Sequence, residues 1–341
     1  MGRVAAVAAG LAVAPVPLPM VYAQETHVLV VTGLGGEPRY REAFHSWAVT
    51  LLDAARDGAG VPPEHLLYLG ERVDQDPDRI RERSTRENVA GAFREVASAS
   101  SPGDHVLVLL LGHGTEARGE YRFNLPGPDL SAEEYGELLD LLPGRRVTFV
   151  NAASSSGGFI PALSAPDRVV ITATRTGSER NETIFGRFFT EAFAGDEADL
   201  DRDGRVSVLE AFTYARLRVE EHYRREGRIR TETALLDDDG DGVGTADPET
   251  GVTSGDGALA RTLFLGPGRG RVPLVAEEGP LPDDPLLRKL VEARREIQRR
   301  LDDLRGRREG MGAEAYEREL EALLVELALK DREIRAAGGE P

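Results

Sequence analysis

Two sets of residues in this chain have types and spacings that could do chemistry. The first is a run of spaced carboxylates. In DLDRDGRVSVLE, Asp199, Asp201 and Asp203 hold positions 1, 3 and 5 of a twelve-residue loop, with Gly204 at 6, Arg205 at 7, Ser207 at 9 and Glu210 at 12. This is the EF-hand loop pattern: alternate carboxylates wrap a cation, glycine permits the turn, position 7 offers its carbonyl, and the final glutamate binds through both oxygens. Val206 at position 8 is apolar, as a core contact there should be. Four carboxylates in so short a loop repel one another unless a cation sits among them, so the expected ligand is Ca2+. A second stretch, DDDGDGVGTAD, repeats the spacing with Asp237, Asp239 and Asp241 before Gly242. Its twelfth position is Pro248, so the bidentate ligand is missing; it reads as a weaker Ca2+ site or a flexible acidic turn.

The second set could make a nucleophile and its base. In VTFVNAASSSGGFIPAL, Val147 to Leu163, an apolar run breaks into three serines and two glycines. In LLGHGT, His113 and Gly114 follow another apolar run. A serine hydroxyl attacks only when a base in hydrogen-bond contact takes its proton, and His113 is the base at hand. The N–H groups of Gly114 and Ser154 would then hold the oxyanion. The pattern alone does not choose among Ser154, Ser155 and Ser156. GLGG at 33–36 follows the first apolar run but lacks the G-x-G-x-x-G spacing, so no dinucleotide site is read there.

Strands and helices must alternate to bring these groups together. THVLVVTG (26–33), HLLYLGE (65–71), DHVLVLLLGHG (104–114), RRVTFVNA (145–152) and DRVVITAT (167–174) read as buried strands, and ALARTLFLG (258–266) as the last. Helical periods separate them, with Ser84 or Thr85 capping one and Ser131 and Glu134 spaced as a capping box. Repeated strand–helix units of this kind imply an α/β fold, an open, mostly parallel sheet with helices on both faces. Functional groups then gather beyond the carboxyl ends of the strands, where His113 and Ser154 both fall.

The pair LLLGHGT and NAASSSGGF, with the strands between them, resembles the caspase/legumain-like cysteine peptidases. That family places His-Gly after one strand and Ala-Cys-x-Ser-Gly after the next. The resemblance spans roughly residues 26–266, implies the caspase-like three-layer sandwich, and sets His113 at the catalytic histidine and Ser154 at the nucleophile; a shifted frame sets Ala153 there. VVITATRTGSERN resembles the family's substrate-pocket region. The chain departs from the family in having no cysteine. A thiol with a pKa of about 8.5 is partly ionised at neutral pH, whereas a hydroxyl is not. The family's histidine stands back from the nucleophile, so serine in that geometry should lose most activity. Glu116 is the nearest acid in sequence that could orient His113. Three functions therefore stand open: a non-catalytic homologue that holds a peptide or protein ligand in its cleft, a serine hydrolase with a Ser154–His113 dyad, and an envelope scaffold acting through its C-terminal arm.

The 341 residues are enough for one large domain or two modest ones, and the formal net charge of -17 argues against nucleic acid as a partner. Residues 1–23 carry Arg3, an apolar centre and VYA before Gln24, the three parts of a secretory signal, so the chain is expected to be exported, periplasmic or extracellular, with no membrane span after cleavage. Without cysteine it has no disulfides, and calcium is the expected replacement staple. The organisation expected is a signal peptide (1–23), a caspase/legumain-like domain (24–266) holding an EF-hand helix-loop-helix (182–226) and an acidic loop (237–256), a Pro- and Gly-rich linker (267–285), and a helical arm (286–337). In the arm, Leu286, Leu290, Ala293, Ile297, Leu301 and Leu304 form one stripe and Tyr316, Leu320, Leu323, Leu327 and Ile334 another. Such stripes make a helical hairpin or coiled coil, docking on its own domain or supporting self-association.

Overall fold

The computed structural model describes residues 24–248 and 255–266, and in the arm residues 287–291, 293, 294, 297, 300, 304 and 313–336. The signal segment (1–23) and the whole linker (267–285) lie outside the described residues. Among those described, no helix is long and apolar enough to cross a membrane.

Five apolar runs make the centre of a seven-stranded sheet. β1 (Thr26–Thr32) lies between β2 (Leu66–Gly70) and β4 (His105–Leu111); β8 (Arg146–Asn151) pairs with β4, and β9 (Arg168–Thr172) with β8, all parallel. β3 (Glu82–Arg83) extends one edge and β10 (Leu235–Asp237) closes the other, antiparallel to β9. β1 and β4 are buried along their whole length, as strands covered on both faces must be.

Helices cover both faces. α1 (Pro38–Asp53), α5 (Phe185–Ala192) and α6 (Val208–Arg225) supply one apolar cluster with Val28, Val30, Leu107 and Leu109. α2 (Arg86–Ala99), α3 (Ala132–Leu139) and α4 (Phe159–Leu163) supply the other with Leu29, Val31, Val106 and Val108. The strict alternation of β1 and β4 residues between the two clusters follows from the period-two direction of strand side chains. The layers are compatible with the sandwich that the resemblance implies. Thr85 caps α2 by accepting the Asn88 N–H at 3.4 Å, while Ser84 donates to the Thr32 carbonyl at 2.6 Å; Ser131 and Glu134 make the reciprocal capping box on α3.

The last strand is not where the apolar run at 258–266 suggests. That run turns through a 3-10 segment (Ala260–Thr262), becomes extended at Leu263, and pairs through an isolated bridge between Phe264 and Ser207. The cause is Asp238, whose carboxylate accepts the N–H groups of Gly257, Leu259 and Ala260 and so winds the segment into a turn. The edge strand is instead β10. A small second sheet, β5 (Gly114–Ala117), β6 (Glu120–Phe123) and β7 (Leu130–Ser131), rises from the end of β4. In the arm, Ile297, Leu304, Tyr316 and Leu323 form a separate buried cluster flanked by Leu320 and Leu327, and Arg300 pairs with Glu326 at 3.1 Å. Tyr316 and the residues after it belong to α7 (Ala313–Ala336).

Candidate functional site

After β1 the chain goes to β2 on one side, while β4 is added on the other. The crevice between the carboxyl ends of β1 and β4 is thus a topological switch point, the place where such sheets bind ligands. Three loops meet there: 33–36 after β1, 112–114 after β4 and 152–158 after β8. His113 rises from the second loop, half-buried, with its ring edge-on to Tyr40 (4.8 Å between centroids) and Phe44 (5.3 Å) of α1. Burial among these rings holds its pKa below the ordinary histidine value, outweighing the Gly35 carbonyl and the nearby Glu182 and Glu37, which favour the charged ring. Glu116, the nearest acid in sequence, accepts the Gly119 N–H at 2.9 Å and pairs with Arg180 at 3.0 Å. Gly35 is fixed in turn by Glu71, which accepts its N–H at 3.0 Å and is forked by Arg41.

The serine turn is packed from every side. A β-carbon on Gly114 would lie 2.4 Å from the Ser154 carbonyl oxygen, and one on Gly157 would lie 2.1 Å from that of Arg175. Both positions demand glycine. Ser155 has a φ of 52°, a conformation that costs a non-glycine residue about 1–3 kcal/mol and that clusters at functional turns. It is held by its own hydroxyl donating to the Gly177 carbonyl (3.0 Å) and its N–H donating to that of Glu179 (2.9 Å). Ser156 is tied to Thr174, its N–H bonding Thr174 Oγ1 at 2.7 Å and the two hydroxyls lying 3.1 Å apart. Ser154 is 3 % exposed, and its Oγ is 3.3 Å from the Gly114 N–H and 3.4 Å from the Gly114 carbonyl oxygen. Of the three hydroxyls it has the longest bonds and the least structural work. The Gly114 N–H, which an oxyanion would need, points at this hydroxyl. His113 and Ser154 thus share one sheet edge, with the hydroxyl bonded to main chain and the imidazole packed edge-on against Tyr40 and Phe44.

The first acidic loop lies between α5 and α6. One carboxylate oxygen from each of Asp199, Asp201 and Asp203 comes within 4.8 Å of the others. Gly204 turns with a φ of 84°, as position 6 requires. Asp199 accepts the N–H groups of Asp203 and Gly204, and Asp203 that of Arg205. The Arg205 guanidinium lies over the Phe264 ring, 3.6 Å from its centroid. Glu210 reaches back into the loop, accepting from the N–H groups of Leu200 and Asp201 and from Ser207, and with Ser207 caps α6. Burial first, and then the Asp201 charge, raise the pKa of Asp199, Asp203 and Glu210 above the usual carboxylate range. The helix entering the loop stops at Ala192, and Phe193–Ala198 runs in turns, which departs from a regular EF-hand. The donor set itself, all oxygen and strongly acidic, fits Ca2+.

The second acidic group includes a carboxylate that the spacing did not reveal. Asp237 and Asp239 are joined by Asp256, one oxygen from each lying within 4.8 Å of the others. Asp241 turns away to accept the Val243 N–H at 2.7 Å. Asp237 is fully buried, and its Oδ2 has no hydrogen-bond partner. Burial, followed by the charges of Asp239, Asp237 and Asp238, lifts Asp256 to a pKa of about 6. No ion pair reaches these three carboxylates among the described residues.

No protein-family model matches this chain, and no curated protein does. Solved structures with a partial likeness include protein GSU0716 from Geobacter sulfurreducens, 12% identical over 62% of this chain and 92% of that one, with a TM-score of 0.41. drICE is 11% identical over 60% of this chain and 87% of its own, with a TM-score of 0.37. Chaetomium thermophilum Raptor is 12% identical over 53% of this chain and 19% of its own, with a TM-score of 0.34. Likenesses at these scores establish neither a family nor an activity.

Proposed function

We propose that this chain is an exported, calcium-binding homologue of the caspase/legumain-like peptidases that holds a peptide or protein ligand at the β1–β4–β8 edge without cleaving it efficiently. The observation that carries this reading is the surroundings of Ser154: its hydroxyl bonds the main chain of Gly114, so no base contacts the proton that must leave. The switch-point crevice, the strained turn at Ser155 and the glycine-only approaches at Gly114 and Gly157 support a binding edge rather than a plain loop. Calcium is assigned to Asp199, Asp201, Asp203, the Arg205 carbonyl, Ser207 and Glu210. A second ion is assigned to Asp237, Asp239 and Asp256, with the partnerless Asp237 oxygen in support. Outside the cytoplasm even sites with dissociation constants of about 0.1–1 mM stay filled.

Fluorophosphonate labelling in millimolar Ca2+, with the modified residue located by mass spectrometry, tests the claim. An unlabelled turn agrees with it. Stoichiometric label on Ser154 that disappears in His113→Ala overturns it in favour of a serine hydrolase, with Ser154 attacking, His113 moving the proton, and the Gly114 and Ser154 N–H groups holding the oxyanion. A second reading, a scaffold acting through the arm, is favoured by the arm's own apolar cluster and by Val325 and Leu329, exposed one turn apart on α7. Self-association that is lost on deleting 286–337 while the sheet edge is intact would select it.

A further inference from the structure

At the opposite end of the sheet, where the parallel strands begin, a second group of ligating side chains stands apart from both acidic loops. Glu25 precedes β1 and His27 is near its start, His65 precedes β2, and Asp104 precedes β4. The His27 and His65 rings stack with centroids 4.0 Å apart. His27 is 2 % exposed and its Nε2 has no hydrogen-bond partner; the buried Nδ1 of His65 has none either. Carboxylates stand close to both rings: His27 Nε2 is 3.9 Å from Asp104 Oδ2, and His65 Nε2 is 3.9 Å from Glu25 Oε2. Those gaps are too long for hydrogen bonds. One ligand atom from each of Glu25, His27 and His65 lies within 4.8 Å of the others.

The contrast with His105 is direct. That ring, also fully buried, uses both nitrogens, Nδ1 donating to the Phe264 carbonyl and Nε2 accepting from Thr148 Oγ1, each at 2.9 Å. A buried polar atom left without a partner costs about 1–3 kcal/mol, and two such nitrogens sit in this one cluster. Two imidazoles with unpartnered nitrogens beside a carboxylate suit a borderline cation of the zinc class, whereas Ca2+ takes oxygen ligands.

We propose that Glu25, His27 and His65 bind one Zn2+. Asp104 positions the site, since its Oδ1 accepts the Glu25 N–H at 3.0 Å and its Oδ2 that of Ser101 at 2.6 Å. The ion ties the start of β1 to the start of β2. A seven-residue strand separates it from the His113 edge by about 23 Å, so its role is structural and independent of the ligand-binding edge.

The experiment is calorimetric titration of the untagged, chelator-stripped full chain with Zn2+, in millimolar Ca2+ so that the oxygen sites are already filled. One Zn2+ per chain, a rise in melting temperature, and visible d–d bands when Co2+ replaces Zn2+ are expected. His65→Gln and Glu25→Gln should each abolish all three while leaving the zinc-free melting temperature nearly unchanged; both side chains are partly exposed, so neither variant threatens the core. Absence of a binding isotherm in the wild type, or an isotherm that survives both substitutions, overturns the proposal.

Discussion

Replacing Asp203 by asparagine should move stability in opposite directions with and without calcium. Asparagine keeps the oxygen that accepts the Arg205 N–H at 2.8 Å, so the turn survives. It removes repulsion from Asp199 and Asp201, roughly 1 kcal/mol for each pair of charges 4.8 Å apart in a water-like dielectric, and loses a similar attraction to Arg205 at 4.0 Å. In chelator the variant should therefore be more stable by roughly 1 kcal/mol. In about 10 mM Ca2+, a site with a dissociation constant of about 0.1–1 mM stabilises the wild type by about 1.4–2.7 kcal/mol, which is absent in the variant. For a body of this size each kcal/mol moves the melting temperature by about 2–4 °C, so the calcium-induced rise from this loop is about 3–11 °C. Calorimetric melts of both proteins in chelator and in calcium give the four values needed. A variant destabilised equally in both media would refute the reasoning, because its loss would come from the turn and not from an ion.

Calcium stoichiometry by equilibrium dialysis should fall from two ions to one in Asp256→Asn and stay at two in Asp241→Asn; the reverse result would restore the ligand set that spacing alone suggests. His105 is fully buried with a pKa of about 4, against 6.5 in the open chain, so it contributes about 3 kcal/mol that is fully present above pH 6.5 and is lost as pH falls toward 4. Urea unfolding of wild type and His105→Gln should converge by that amount over the window, and parallel curves would exclude it. Gly157→Ala should cost at least about 3 kcal/mol, since its β-carbon would meet the Arg175 backbone, which cannot swing aside as a side chain could; a melting temperature within 2 °C of wild type, well short of what that cost implies, would show the turn to be looser.

The central strands were legible because nearly unbroken apolar runs admit little else, and the placement of His113 and Ser154 on one edge followed from the ends of two such runs. Other features depend on contacts that no local pattern carries. β5 and β6 are short and half exposed, so their residues lack the apolar signature of the core strands. The run at 258–266 has the composition of a strand, yet Asp238, some twenty residues earlier, winds it into a turn. Asp256 reaches the second acidic group by the same return of the chain, too far along to fall inside a twelve-residue template. The Tyr40 and Phe44 rings that pack on His113 come from α1, far earlier in the chain, and no local spacing announces that contact. The choice among the three serines became readable only through Thr174 and Gly177, which occupy Ser156 and Ser155 and leave Ser154 the least engaged.

Phe264 lies just before the chain leaves the described body toward the arm. Its carbonyl is held by His105 at the root of the central strand β4, its ring lies under Arg205 of the first acidic loop, and its backbone bridges Ser207. Buried Leu265 follows it, so tension along the chain from the arm would reach the body through this short stretch. The load is then shared between a buried hydrogen bond to the middle of the sheet and a loop that calcium would stiffen. Under the calcium reading proposed above, the firmness of that anchorage would rise and fall with the calcium around the protein, making the loop a coupling whose strength the surroundings set.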